Sequence, residues 1–215
     1  MKRLVIFDLD GTLLNTIGDL AASCNEVLSR HALPLHTYDE YCNFVGNGIT
    51  RLVERAIPEE LRTEEFIAAV RADFVEYYSA HIDTHTLPYE GINELLDVLS
   101  QKGVTMAVAS NKFHAGTEKL IKRFFPDTPF VAIYGQRPDV PLKPHPMVVE
   151  QILAESGFSA EETLFVGDSA VDMQTARAAT LRGVGCSWGF RSREELLSES
   201  PYAIIDHPMQ LIELL

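Results

Sequence analysis

Basic residues are scarce in this chain: 18 Lys and Arg stand against 31 Asp and Glu, for a net charge of -13. No basic run stands out, which argues against a nucleic-acid partner. An excess of this sign also argues against an anionic membrane surface. An anionic substrate must then be met by local cations or by a metal. Cysteine is sparse too. Cys24, Cys42 and Cys186 are odd in number, widely spaced and form no Cys-x-x-Cys pair. Lys2-Arg3 is followed by only a few apolar residues before Asp8, too few for a secretory signal. A reduced, cytoplasmic chain is the expectation. No apolar run approaches the length of a membrane span.

What is present is ordinary globular material. The 215 residues are 46% hydrophobic and 23% charged, enough for a large core in one domain or one and a half. Leu4-Val5-Ile6-Phe7 is a short continuous apolar run, the mark of a strand buried on both faces. From about 15 to 85 the periodicity is helical, over 16–32, 39–45, 49–56 and 63–81, with a break near Pro58 and no convincing strand. After Pro88, helices and strands alternate. Helices are expected at 92–101, 114–124, 146–156, 170–179 and 208–215. Strands are expected at 104–109, 130–134, 163–166, 183–186 and 203–205. This alternation implies an α/β fold, a Rossmann-like parallel sheet with helices on both faces. The expected organisation is a core of residues 1–14 and 86–215 with a helical cap at 15–85 inserted after the first strand.

In open parallel sheets, ligands bind beyond the carboxyl ends of the strands. The residues just past those ends are all polar: Asp8 and Asp10, then Ser110-Asn111-Lys112, then Gly167-Asp168-Ser169 with Asp172 four residues on. Lys143-Pro144 precedes the helix at 146. On an extended chain, residues i and i+2 point the same way, so Asp8 and Asp10 face one space while Leu9 faces the core. Two carboxylates so close repel, which favours a proton on one of them. Gly11 lets the chain turn sharply behind them.

The order D-x-D-G-T, S-N, K-P, G-D-S-x-x-x-D resembles the haloacid dehalogenase superfamily of aspartyl phosphotransferases, over the whole chain and including the helical insert. The resemblance implies a magnesium-dependent phosphatase acting on a small-molecule phosphate ester. Asp8 would be the nucleophile and Asp10 the general acid and base, with Thr12 beside the substrate and orienting Asp10. Asp8, Asp168 and the backbone carbonyl of Asp10 would hold Mg2+, whose preference is for hard oxygen ligands. Ser110 would donate to a phosphoryl oxygen, Asn111 would line the substrate, and Lys143 would neutralise charge. Asp172 and Ser169 would sit just behind, on a metal water or on Lys143.

Specificity is expected from the cap. Its segment Val45-Gly46-Asn47-Gly48 resembles the V-G-N-G loop of phosphoglycolate phosphatases, as do Trp188-Gly189-Phe190-Arg191 and Arg193-Glu194-Glu195-Leu196. On that likeness Asn47, Gly48 and Arg51 would bind the carboxylate of 2-phosphoglycolate. Tyr77-Tyr78 reads as packing. Asp10 argues against dehalogenase activity. The absence of lysine between Asn15 and Pro88 argues against a phosphonatase that forms a Schiff base. A beta-phosphoglucomutase-like mutase, a pyrophosphatase and a sugar-phosphate phosphatase share the motifs. A phospho-acceptor signalling protein is the non-enzyme alternative, and it lacks both a cap and an acid beside the acceptor. A monomer or a homodimer suits any of these.

Overall fold

The structure is a computed structural model and describes residues 3–215. Its first strand, β1 (Leu4–Phe7), is apolar at every position because both of its faces are covered. Val5 and Phe7 enter one apolar cluster, and Leu4 and Ile6 enter another on the opposite side of the sheet. Each such side chain, wholly buried, stabilises the fold by about 1.5–3 kcal/mol. The chain then turns through β2 (Leu14–Asn15) into four helices: α1 (Ile17–Arg30), α2 (Tyr38–Phe44), α3 (Ile49–Ala56) and α4 (Glu64–His81). It returns through β3 (Leu87–Pro88), which pairs antiparallel with β2. Thus two short strands stand at the two ends of a segment whose sequence pattern is helical throughout. Two-residue strands carry no periodicity to read.

The remainder alternates: α5 (Ile92–Gln101), β4 (Thr105–Phe113), α6 (His114–Phe124), β5 (Phe130–Gln136), α7 (Met147–Ser156), β6 (Thr163–Gly167), α8 (Ala170–Ala178), β7 (Arg182–Cys186), α9 (Arg193–Ser198) and β8 (Ala203–Ile205). The six long-range strands form one parallel sheet in the order β5-β4-β1-β6-β7-β8. Strand β1 is central. The chain builds outward from it through β4 and β5, then crosses over to β6 and builds outward the other way. The carboxyl ends of β4, β1 and β6 therefore flank the point where strand order reverses, the place where open α/β sheets form a crevice.

Three expectations are corrected. The strand expected to end at Ala109 runs on to Phe113, because Ser110, Asn111 and Lys112 are buried and Phe113 still pairs with Gln136 of β5 after an irregularity. Their polarity reads as a loop only if they are taken to face water. The C-terminal stretch Pro208–Leu214 is a 3-10 helix rather than an α-helix. The helix α9 is not anticipated, although Ser192, whose side chain accepts from the Glu195 N–H, stands at its start as a Ser-x-x-Glu capping pattern.

Candidate active site

Asp8 lies one residue past β1, and its N–H donates to the Val166 carbonyl of β6 at 2.9 Å. Its carboxylate meets Lys143, whose Nζ is 2.9 Å from Asp8 Oδ1 and 2.7 Å from Asp172 Oδ1. Among the described residues this buried Asp8 oxygen has no partner besides that ammonium. Asp168, past β6, accepts the Phe190 N–H on Oδ2 at 2.7 Å. Asp172, in the first turn of α8, accepts both the N–H and the hydroxyl of Ser169 on Oδ2, at 3.1 and 2.6 Å. All of these groups are buried.

Asp8, Asp168 and Asp172 each offer an oxygen within 4.8 Å of the others. Burial first, and then the Asp172 charge, pushes the Asp8 carboxyl up to about 7 against the opposing pull of Lys143. Asp168 is driven well above the usual carboxylate range by burial and by the charges of Asp172 and Asp8. Burial alone would lower Lys143, but Asp172 and Asp8 outweigh it and hold the ammonium above its ordinary value. With all three carboxylates ionised, the one ammonium would leave two negative charges in excess. That excess, offered on three clustered carboxylate oxygens, fits a divalent hard cation. The side-chain cluster brings Asp172 beside Asp8 and Asp168, the two carboxylates expected to hold a metal together with the Asp10 backbone carbonyl.

The Asp10 carboxylate turns to different partners. Its Oδ1 accepts from Thr16 Oγ1 at 2.7 Å and from Lys112 Nζ at 3.0 Å. Thr16 stands at the N-cap position of α1 yet its side chain caps nothing, the sign of a local preference given up to a site. Thr16 therefore orients Asp10, and the assignment to Thr12 is corrected. Thr12 is wholly buried behind the site and donates toward Asp168 Oδ1 over 3.5 Å. Ser110 faces the cavity, and its Oγ accepts from the Lys112 N–H at 3.2 Å, leaving the hydroxyl proton to donate. Lys112 shares that face, as i and i+2 must on an extended chain. The same rule that joined Asp8 to Asp10 thus pointed to Lys112, and the sequence reading gave it no role. Its ammonium also meets Tyr78 Oη of α4 at 2.7 Å. Tyr78 packs, stacked on Phe74, but its hydroxyl belongs to the site.

Asn111 is held by its side chain. Its Nδ2 donates to the carbonyls of Gly46 and Lys143, both at 3.0 Å, and its Oδ1 accepts the Lys143 N–H at 2.8 Å. Both amide protons are engaged, so the side chain fixes backbone while Asn111 still forms part of the cavity wall. Of the expected cap residues, Gly48 does line the cavity, and a Cβ there would come within 3.1 Å of Leu142. Asn47 turns away to accept from Arg55 Nη2 at 2.9 Å. Arg51 points to solvent, 62% exposed and paired with Glu54. The arginine at the cavity is Arg191, which donates to the carbonyls of Cys42 and Val45.

Two glycines permit the close approach of these parts. A Cβ on Gly11, whose φ is 86°, would sit 2.3 Å from Asp168 Oδ2. One on Gly189 would sit 2.2 Å from Asp168 Cβ and 2.4 Å from the Gly11 carbonyl.

Comparison with known proteins places this arrangement. The family described as Haloacid dehalogenase-like hydrolase matches residues 5–186. A phosphoglycolate phosphatase of Pectobacterium atrosepticum is 32% identical over 99% of this chain and 92% of its own length. One from Haemophilus influenzae is 31% identical over 99% and 98%. Among solved structures, a protein of Lactobacillus delbrueckii subsp. bulgaricus superposes with a TM-score of 0.93 at 30% identity, over 100% of this chain and 98% of that one. A predicted phosphoglycolate phosphatase from Haemophilus somnus does so with a TM-score of 0.92 at 28% identity, over 99% and 97%. The chain is a phosphatase that belongs to the haloacid dehalogenase-like hydrolases and resembles phosphoglycolate phosphatases along its whole length.

Proposed function

We propose that this phosphatase transfers the phosphoryl group of a small phosphomonoester to Asp8 and then to water, with 2-phosphoglycolate as its foremost substrate. The observation that carries the reading is the convergence of Asp8, Lys143 and Asp168 at the strand-order reversal, buried and short of positive charge. An Asp8 oxygen attacks phosphorus while the ester oxygen leaves with a proton from Asp10. Asp10, left ionised, takes a proton from water, and that water attacks the Asp8 phosphate and releases inorganic phosphate. Ser110 donates its hydroxyl to a phosphoryl oxygen, and Lys143 balances charge on the transferring group. Asp8, Asp168 and the Asp10 carbonyl would hold Mg2+, with Asp172 beside them. When bound, the ion offsets the repulsion between carboxylate and phosphate.

The helical segment 15–85 acts as a cap over this chemistry in the same proposal. Support comes from Tyr78 of α4 and Gly48, which complete the cavity wall opposite the sheet. The phosphoglycolate assignment is supported by the relatives at about 30% identity. A cytoplasmic location belongs to the same reading, and the three cysteines are free thiols.

The test is kcat/KM for phosphate release with magnesium over 2-phosphoglycolate, sugar phosphates, pyrophosphate and nucleotides. A clear preference for 2-phosphoglycolate is expected. A flat profile would retain the phosphatase and discard this substrate.

A further inference from the structure

With Asn47 and Arg51 turned away from the cavity, a substrate carboxylate needs another partner. Lys112 is placed to be that partner. It lines the cavity beside Asp10 with its side chain only 2% exposed. An ammonium has three donors. Tyr78 Oη accepts at 2.7 Å and Asp10 accepts on Oδ1 at 3.0 Å, while the longer contact to Asp10 Oδ2 at 3.3 Å is the one an incoming anion would replace. The other nearby cations are committed. Lys143 is held between Asp8 and Asp172, and Arg191 spends its guanidinium on two backbone carbonyls and Glu195. Much of the remaining wall is apolar, from Leu20, Ile49, Leu52 and Phe113.

We infer that Lys112 sets substrate specificity by pairing with an anionic group on the leaving alcohol, close to the ester oxygen. The inference rests on the phosphatase reading of Asp8 and Asp10. If Asp10 protonates the ester oxygen, it lies within hydrogen-bond reach of that atom. The Lys112 ammonium, 3.0 Å from Asp10, is then next to whatever the oxygen carries. A carboxylate joined to the oxygen through one carbon meets it. A neutral alcohol of the same size brings no charge to it, and the apolar wall offers no substitute. Tyr78 is the positioning residue, holding the ammonium from the helical side.

The experiment compares 2-phosphoglycolate with 2-hydroxyethyl phosphate, an ester of similar size with a neutral leaving group, in the wild type, Lys112→Met and Tyr78→Phe. The wild type should prefer 2-phosphoglycolate. Lys112→Met should raise its KM about ten- to hundredfold beyond any change for the neutral ester, the loss of one charge-assisted bond. Inhibition by glycolate should weaken in step. Tyr78→Phe, which keeps the ring and so the fold, should shift the same ratio in the same direction by less, and decides the matter if the first variant does not fold. A ratio within about twofold of wild type in both variants would overturn the inference. Equal kcat/KM for the two esters in the wild type would also overturn it while leaving the phosphatase reading intact. Hydrolysis of neither ester would remove both.

Discussion

Asp8 is the residue on which chemistry and stability make opposite demands. Asp8→Asn should abolish turnover, by at least about a thousandfold, because the amide cannot accept a phosphoryl group. Phosphate release by the variant at near wild-type rates would refute the nucleophile. The same substitution should stabilise the metal-free protein. The Asp8 carboxyl goes from 3.8 to about 7 on folding, so between those values the folded chain holds a proton that the unfolded chain has released. The Asp8 contribution to stability in chelator should therefore be full below the lower value and decline as pH rises toward the upper one. Asp8→Asn should flatten that decline, and added magnesium should oppose it by binding the folded state. Thermal melts at several pH values read this directly, since each kcal/mol moves Tm by about 2–4 °C in a chain of this size. A difference between wild type and Asp8→Asn that does not change with pH in chelator would contradict the burial argument. Much of the site was legible at this scale: Asp8, Asp10, Lys143 and Asp168 could be picked out because acids and a lysine at strand ends have few reasons to be there other than chemistry. Thr12 and Thr16 could not be told apart, since spacing shows that a hydroxyl is near without showing which way the turn aims it. Arg51 misled for the same reason. A helix-face arginine near a glycine loop looks like an anion ligand until α3 is rotated into place, and Arg191 is 140 residues further along the chain.

Elements meet here through glycine. The loop after β7 comes so close to Asp168 that Gly189 has no room for a methyl group. Gly189→Ala should push the loop outward, withdraw the Phe190 N–H from Asp168 and lower magnesium affinity. Gly103→Ala is the control: its φ of 70° strains an alanine, but nothing lies within 4 Å. It should cost about 1 kcal/mol of stability and leave metal binding alone. Equal magnesium affinity in the two variants, measured by titration calorimetry, would show that the close approach does not matter. Element identity was largely readable because most helices and strands here are buried on a regular period. The failures cluster where burial and polarity part company. Strand β4 continues through Ser110, Asn111 and Lys112, three polar residues inside the protein.

At the scale of the whole molecule, the helical segment is anchored at its base by Asp19 of α1. Its buried carboxylate accepts the N–H groups of His85 and Thr86 at 2.8 and 2.9 Å and the Thr86 hydroxyl at 2.8 Å. Asp19→Ala strands those donors and should destabilise the protein by about 3 kcal/mol, measured by urea unfolding. A loss under about 0.5 kcal/mol would show that water replaces the clamp easily. The seam above this base is held differently. Asn111 to Gly46, Arg191 to Cys42 and Val45, and Lys112 to Tyr78 span from the sheet side to the helical side. Each bond exchanges for one to water on parting, at a net difference of about 0.5–1.5 kcal/mol. A seam held mainly by exchangeable hydrogen bonds is a latch in the proposed cap reading: parting it should not unfold either side, and a kcat that falls as solvent viscosity rises would show that its opening, more than the breaking of the ester, times turnover.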